Sequence, residues 1–115
     1  MARPEKCRCI CSMPRYRKFV PKDVESSGTE LLSLDEYEVF RLLNLEKKTQ
    51  SECAERMQIS RSTVSRIYDN AGEKIARALV WGRKIVIDGG DVMVCEKMRP
   101  ECLGEKHCCH RGEKL

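Results

Sequence analysis

Hydrophobic and polar positions divide this chain into blocks of different period. Tyr37, Val39, Phe40, Leu42 and Leu43 give a wide apolar helical face. Ser33-Leu34-Asp35-Glu36, just before them, has the capping-box form, so a helix is predicted from Ser33 to about Glu46. Thr49-Gln50-Ser51-Glu52 repeats that form and opens a second, shorter helix, with Cys53, Ala54, Met57 and Ile59 facing inward. Ser60 is a strong N-cap type and opens a third helix, whose apolar stripe is Val64, Ile67, Ala71, Ile75 and Leu79. Gly82 is its expected C-cap, and Trp81 is expected to plug the core. Met57-Gln58-Ile59 leaves room only for a tight turn, so the second and third helices should cross steeply. Past Gly82, Lys84–Ile87 and Val92–Cys95 flank Asp88-Gly89-Gly90-Asp91, a β-hairpin pattern.

The expected fold is mainly α: a three-helix core with a helix-turn-helix, plus a short β-hairpin and Cys-rich ends. It divides into a basic arm and loop (1–32), the helix-turn-helix domain (33–82), the hairpin (83–95) and a tail (96–115). Pro4, Pro14 and Pro21 rule out a long helix in the arm, and Val24–Glu30 reads as a loop. The tail has no period and is expected to order only if something ties it down.

Charge changes this picture, because it is uneven. Met1–Lys22 carries seven basic residues against one acid, and Ile59–Lys84 six against two. Asp23–Gln58 between them carries nine acids against four bases. The arm and the third helix are thus the places to meet phosphate. The opening turns of that helix present Arg61, Ser62, Thr63, Ser65 and Arg66, with no carboxylate before Asp69. Such a surface suits phosphates and base edges, since Arg pairs bidentately with guanine. In the arm, Arg15, Arg17 and Lys18 interleave with Tyr16 and Phe19; the cations suit a DNA backbone, and Phe19 suits an anchor on the core. The acidic tip of the hairpin argues against a phosphate-contacting wing.

Gln50 to Asp69 resembles the DNA-binding helix-turn-helix in region four of bacterial sigma factors. Ala54, Ile59, Val64 and Ile67 fall where that motif places small and branched core residues. Gln58 departs from it, standing where the turn usually has Gly; a positive φ there carries modest strain.

Eight cysteines add candidate chemistry. Cys53 stands alone on the inner face of the second helix and reads as a core residue. Cys7, Cys9 and Cys11 cluster in the arm, and Cys95, Cys102, Cys108 and Cys109 in the tail beside His107 and His110. With no signal peptide evident and no apolar run of membrane-spanning length, the expectation is a cytoplasmic protein with reduced thiols. Clustered thiolates then favour a metal, zinc first, with an iron–sulfur cluster as the other candidate. Cys7, Cys11, Cys95, Cys102, Cys108 and Cys109 are the candidate ligands, closing one site across the chain ends or a site within the tail. No Cys-x-x-Cys occurs in either cluster, so this is not a standard finger.

The arm adds a second resemblance. The opening Met-Ala-Arg-Pro, Lys6-Cys7-Arg8, Cys11, Pro14, Phe19, Pro21, Leu34–Glu38 and Ile85–Gly90 resemble a family of predicted DNA-binding proteins of prokaryotes (domain-of-unknown-function family one-three-four). The likeness covers about Met1 to Gly90 and implies DNA binding without a target. The expectation is a transcriptional regulator that binds duplex DNA as a homodimer, modulated by metal or redox state. The alternative is a metal-binding or redox-sensing protein whose helix-turn-helix meets protein. No Ser-His-acid set, phosphate loop or paired acid constellation occurs, so an enzyme is not expected.

Overall fold

A computed structural model describes residues 8–11 and 13–94. The element order is β1 (Arg8–Ile10), β2 (Lys18–Phe19), β3 (Thr29–Leu32), α1 (Leu34–Asn44), α2 (Gln50–Met57), α3 (Arg61–Trp81), β4 (Lys84–Ile87) and β5 (Val92–Val94). Three helices form the body, and each begins at the polar residue the sequence offers. Ser33 and Thr49 both form complete capping boxes, with Glu36 and Glu52 reaching back to the cap amides. Ser60 accepts from the Thr63 amide. Gly82, at φ 68°, ends α3 in the left-handed region.

The core gathers Val39 and Leu42 of α1, Cys53, Ala54 and Met57 of α2, and Val64, Ile67 and Ala71 of α3. Ile10, Leu32 and Ile87 join it from three different strands. The apolar stripe of α3 drifts at its end: Ala78 is buried, whereas Leu79 is 78% exposed. A stripe extended by fours runs ahead of the 3.6-residue turn, so Leu79 rotates out. Trp81 is also no core plug. It is 54% exposed, with the Arg83 guanidinium 4.9 Å above its ring. Phe19, expected as an anchor, is half-exposed on β2.

Strands form on both sides of the Gly-rich turn, but they do not pair with each other. β4 lies between β2 (antiparallel) and β3 (parallel), while β5 pairs in parallel with β1. Both edges of β4 are therefore occupied, and β5 must find another partner. The parallel β3–β4 pair needs a crossover, which α1, α2 and α3 supply. Gly89 and Gly90, at φ 87° and 100°, carry the chain past the start of α1 rather than into a tight hairpin. Leu34 donates its amide to the Gly89 carbonyl at 2.9 Å, and a Cβ on Gly90 would meet Asp35 Oδ1 at 3.3 Å. The stretch expected as loop gives way to β3 at Thr29, whose inward residues are Glu30 and Leu32.

Ion pairs fasten these strands to the helices. Glu30 takes Arg77 at 3.0 Å and Arg83 at 2.7 Å, holding β3 to α3 and the segment after it. Arg8 reaches Asp35 at 3.0 Å, and the Cys11 amide donates to Glu38 at 2.9 Å, docking the arm on α1. Glu38 is itself buried and accepts two bonds from Arg41. Burying these charges is tolerable because each is paired.

Candidate nucleic-acid interface

The candidate interface lies on α2, its turn and α3. Thr49 Oγ1 accepts from the Glu52 amide at 3.1 Å, and the Thr49 amide in turn donates to the Glu52 carboxylate at 2.8 Å. That bond from the Thr49 backbone amide holds the Glu52 carboxyl below its ordinary value. α2 ends in the left-handed region at Gln58, φ 62° and ψ 45°, where the sequence argument placed the strain. The Ile59 amide then closes on the Ala54 carbonyl at 3.0 Å. The turn returns the chain to Ser60, whose hydroxyl caps α3.

Arg61, Ser62, Ser65 and Arg66 come together in one shallow, open cleft with Gln50, Asp69 and Asn70. Arg61, Ser62 and Arg66 are exposed, and Ser65 is half-buried. Thr63 is turned differently: it is half-buried and its hydroxyl lies 2.7 Å from Ser60 Oγ, serving the cap. The first turn of α3 carries no acid. Its free amides and helix dipole therefore add to the Arg charges rather than offset them.

The cations farther along α3 and just past its end are committed elsewhere. On the helix Lys74 pairs with Glu36 at 2.9 Å and Arg77 with Glu30, and beyond the C-cap Arg83 also pairs with Glu30. Arg61 and Arg66 make no ion pair with the described residues. Gln50 and Asn70 line the cleft too, and the sequence reading did not single them out. Their signal was positional: Asn70 lies one turn beyond Arg66, and Gln50 opens the helix packed across α3. Their amides can pair with adenine.

The arm cations are not part of this cleft. Lys18 and Phe19 pair with Val86 and Ile85, on the strand that follows the far end of α3. Arg15, Arg17 and Lys18 are exposed, and Arg17 Nε donates to the Pro14 carbonyl at 3.2 Å. They form a separate basic surface.

Of the candidate metal ligands, Cys11 is described; Cys7, Cys95, Cys102, Cys108 and Cys109 lie outside the described residues. Cys11 is buried, and its Sγ sits 3.9 Å from Arg56 Nη2. Among the described residues no group of three or more His, Cys, Asp or Glu is placed to hold a metal. Cys53 is fully buried, and desolvation, with the Glu38 charge behind it, pushes its thiol up to about 12. It is a core residue, as its sequence position suggested. No helix among the described residues is long and apolar enough to cross a membrane.

Comparison with known proteins places the chain. The family model for a protein of unknown function, DUF134, matches residues 1–95. A UPF0251 protein of Prosthecochloris aestuarii (strain DSM 271 / SK 413) is 43% identical over 114 residues, covering 94% of this chain and 73% of the relative. A UPF0251 protein of Desulfitobacterium hafniense (strain Y51) is 38% identical, covering 89% of this chain and 83% of the relative. One from Caldicellulosiruptor bescii (strain ATCC BAA-1888 / DSM 6725 / KCTC 15123 / Z-1320) is 38% identical, covering 98% and 91%. No solved structure matches. The chain therefore belongs to the DUF134 family, whose relatives carry UPF0251 names.

Proposed function

We propose that the protein binds duplex DNA through the opening turns of α3 and acts as a transcriptional regulator. One observation carries this. Arg61 and Arg66 are exposed at an acid-free helix start, outside the ion pairs that occupy the later cations of the same helix. Ser62, Ser65, Gln50 and Asn70 supply hydrogen-bonding groups beside them. An N-terminus of this kind fits a major groove, where Arg meets guanine and Gln or Asn meets adenine. Arg15, Arg17 and Lys18 are available for phosphate on a second surface.

Metal or redox control fits the same scheme. β1 pairs with β5 in the register Ile10 with Val94, so the arm is fastened to the strand leading into the tail. A metal held by arm and tail cysteines would act on that pairing. The alternative, a metal or redox protein whose helix pair meets protein, predicts metal content without DNA affinity.

The test is selection of bound genomic fragments, followed by binding of one fragment with and without chelator. Arg61→Ala and Arg66→Ala should each cost about 1–3 kcal/mol of affinity while leaving the fold intact. Unchanged affinity in both variants refutes their role.

A further inference from the structure

We propose that the solvent-facing C-terminal end of α3, with β2 beside it, is the contact surface for a second copy of this chain. Leu79 and Val80 are 78% and 76% exposed, and Trp81 is half-exposed beside them. Phe19 and Val20 are also exposed. Phe19, Val20 and Leu79 line one groove of about 250 Å³ with Pro21, Ala78, Gly82, Ile85 and, at its edge, Arg83, so the patch is continuous across strand and helix. Ala76, one turn before Val80, is exposed and small enough to admit a neighbouring helix. Together the large side chains leave on the order of 600 Å² of apolar surface open, at the upper end for a monomer's largest patch. That is close to the ~800 Å² each partner buries in a standard stable interface.

The position of the patch on α3 selects a second copy as occupant. Ser62, Arg66, Asp69, Glu73, Ala76 and Val80 follow one another along an exposed stripe of the helix. The face that presents the reading turns therefore also presents Val80, with Leu79 about 100° around the helix from it. At ~1.5 Å per residue, about 24 Å of helix separates the middle of the reading turns from Val80. Two α3 helices meeting at Val80 and splayed by about 45° from a dyad would set those turns about 34 Å apart, one turn of duplex. In that V both inner faces look toward the DNA, and the apolar ends close the apex. The spacing, though not the apolar patch, rests on the proposed DNA reading.

Sedimentation of the full chain from micromolar to near-millimolar concentration tests the surface. The wild type should run at dimer mass. Leu79→Glu with Val80→Glu should run as a monomer of unchanged helicity, with self-association weakened at least about a hundredfold, because unpaired carboxylates oppose burial. Arg61→Ala with Arg66→Ala should remain dimeric while losing DNA, so failure of the DNA reading leaves the dimer intact. Trp81, the single tryptophan, reports on the patch directly. Its emission should shift to the blue on association. A wild-type monomer at the highest concentration overturns the proposal, as does a Leu79→Glu, Val80→Glu variant that still dimerises. A monomer with a quencher-shielded Trp81 also overturns it, and assigns the patch to residues of the same chain.

Discussion

Gln58 sits in left-handed backbone between α2 and α3, a conformation that costs a side-chain-bearing residue about 1–2 kcal/mol relative to glycine. Gln58→Gly should therefore raise unfolding stability by about 1 kcal/mol, read as a rise in urea midpoint at constant slope. A fall would mean that the Gln58 side chain holds the turn. The strain was legible because the residues either side of Gln58 fix where the turn must be. The fate of Trp81 was not. Its position one residue before the C-cap placed it at a helix end, but whether anything covers that end depends on β4 and β2 and on what docks beyond them. Thr63 shows the same limit at smaller size. Its residue type suits a groove, yet the Ser60 hydroxyl 2.7 Å away draws it into the cap.

Among the elements, helices were readable and strand partners were not. A helix satisfies its own backbone, so caps and stripe suffice to find α1, α2 and α3. A strand needs a partner, and β4 takes two that are far away in sequence, which leaves no edge for β5. Two buried acids of α1 follow from the same long-range docking, since Arg8 pairs with Asp35 and Lys74 with Glu36, whereas Glu38 pairs with Arg41 of its own helix and takes the Cys11 amide from the arm. Gly72 lies inside α3 with nothing within 4 Å of where a Cβ would stand. Gly72→Ala should therefore stabilise the domain by about 0.5–1 kcal/mol in chemical denaturation. The joint between β3 and α3 should be acid-sensitive. The Arg77 hydrogen bond, with help from Arg83, holds the Glu30 carboxyl below its ordinary 4.5. A depressed carboxylate contributes fully above its unfolded value, and the contribution is lost as pH falls through the folded value. Stability should thus drop below about pH 4.5, and Glu30→Gln should flatten that acid limb of the profile.

Over the whole molecule, charge is sorted rather than merely abundant. The acids Asp35 and Glu36 of α1 and Glu30 of β3 are spent on Arg8 of the arm, on Lys74 and Arg77 of the later α3 turns and on Arg83 past its end, and the start of α3 is left cationic. The sequence showed this as blocks of opposite charge, and that is why the candidate site could be named before its geometry. It did not show that Arg15, Arg17 and Lys18 lie apart from the cleft, because β2 docks on β4 only in three dimensions. Anisotropy titration of a selected duplex, across a range of salt, bears most directly on the α3 surface. Wild-type affinity should fall steeply, with a slope of about −0.9 for each phosphate neutralised. The Arg61→Ala, Arg66→Ala double variant should bind at least about tenfold more weakly at every salt, with unchanged helicity. Equal affinity and equal slope for the two proteins would contradict DNA recognition by the opening turns of α3.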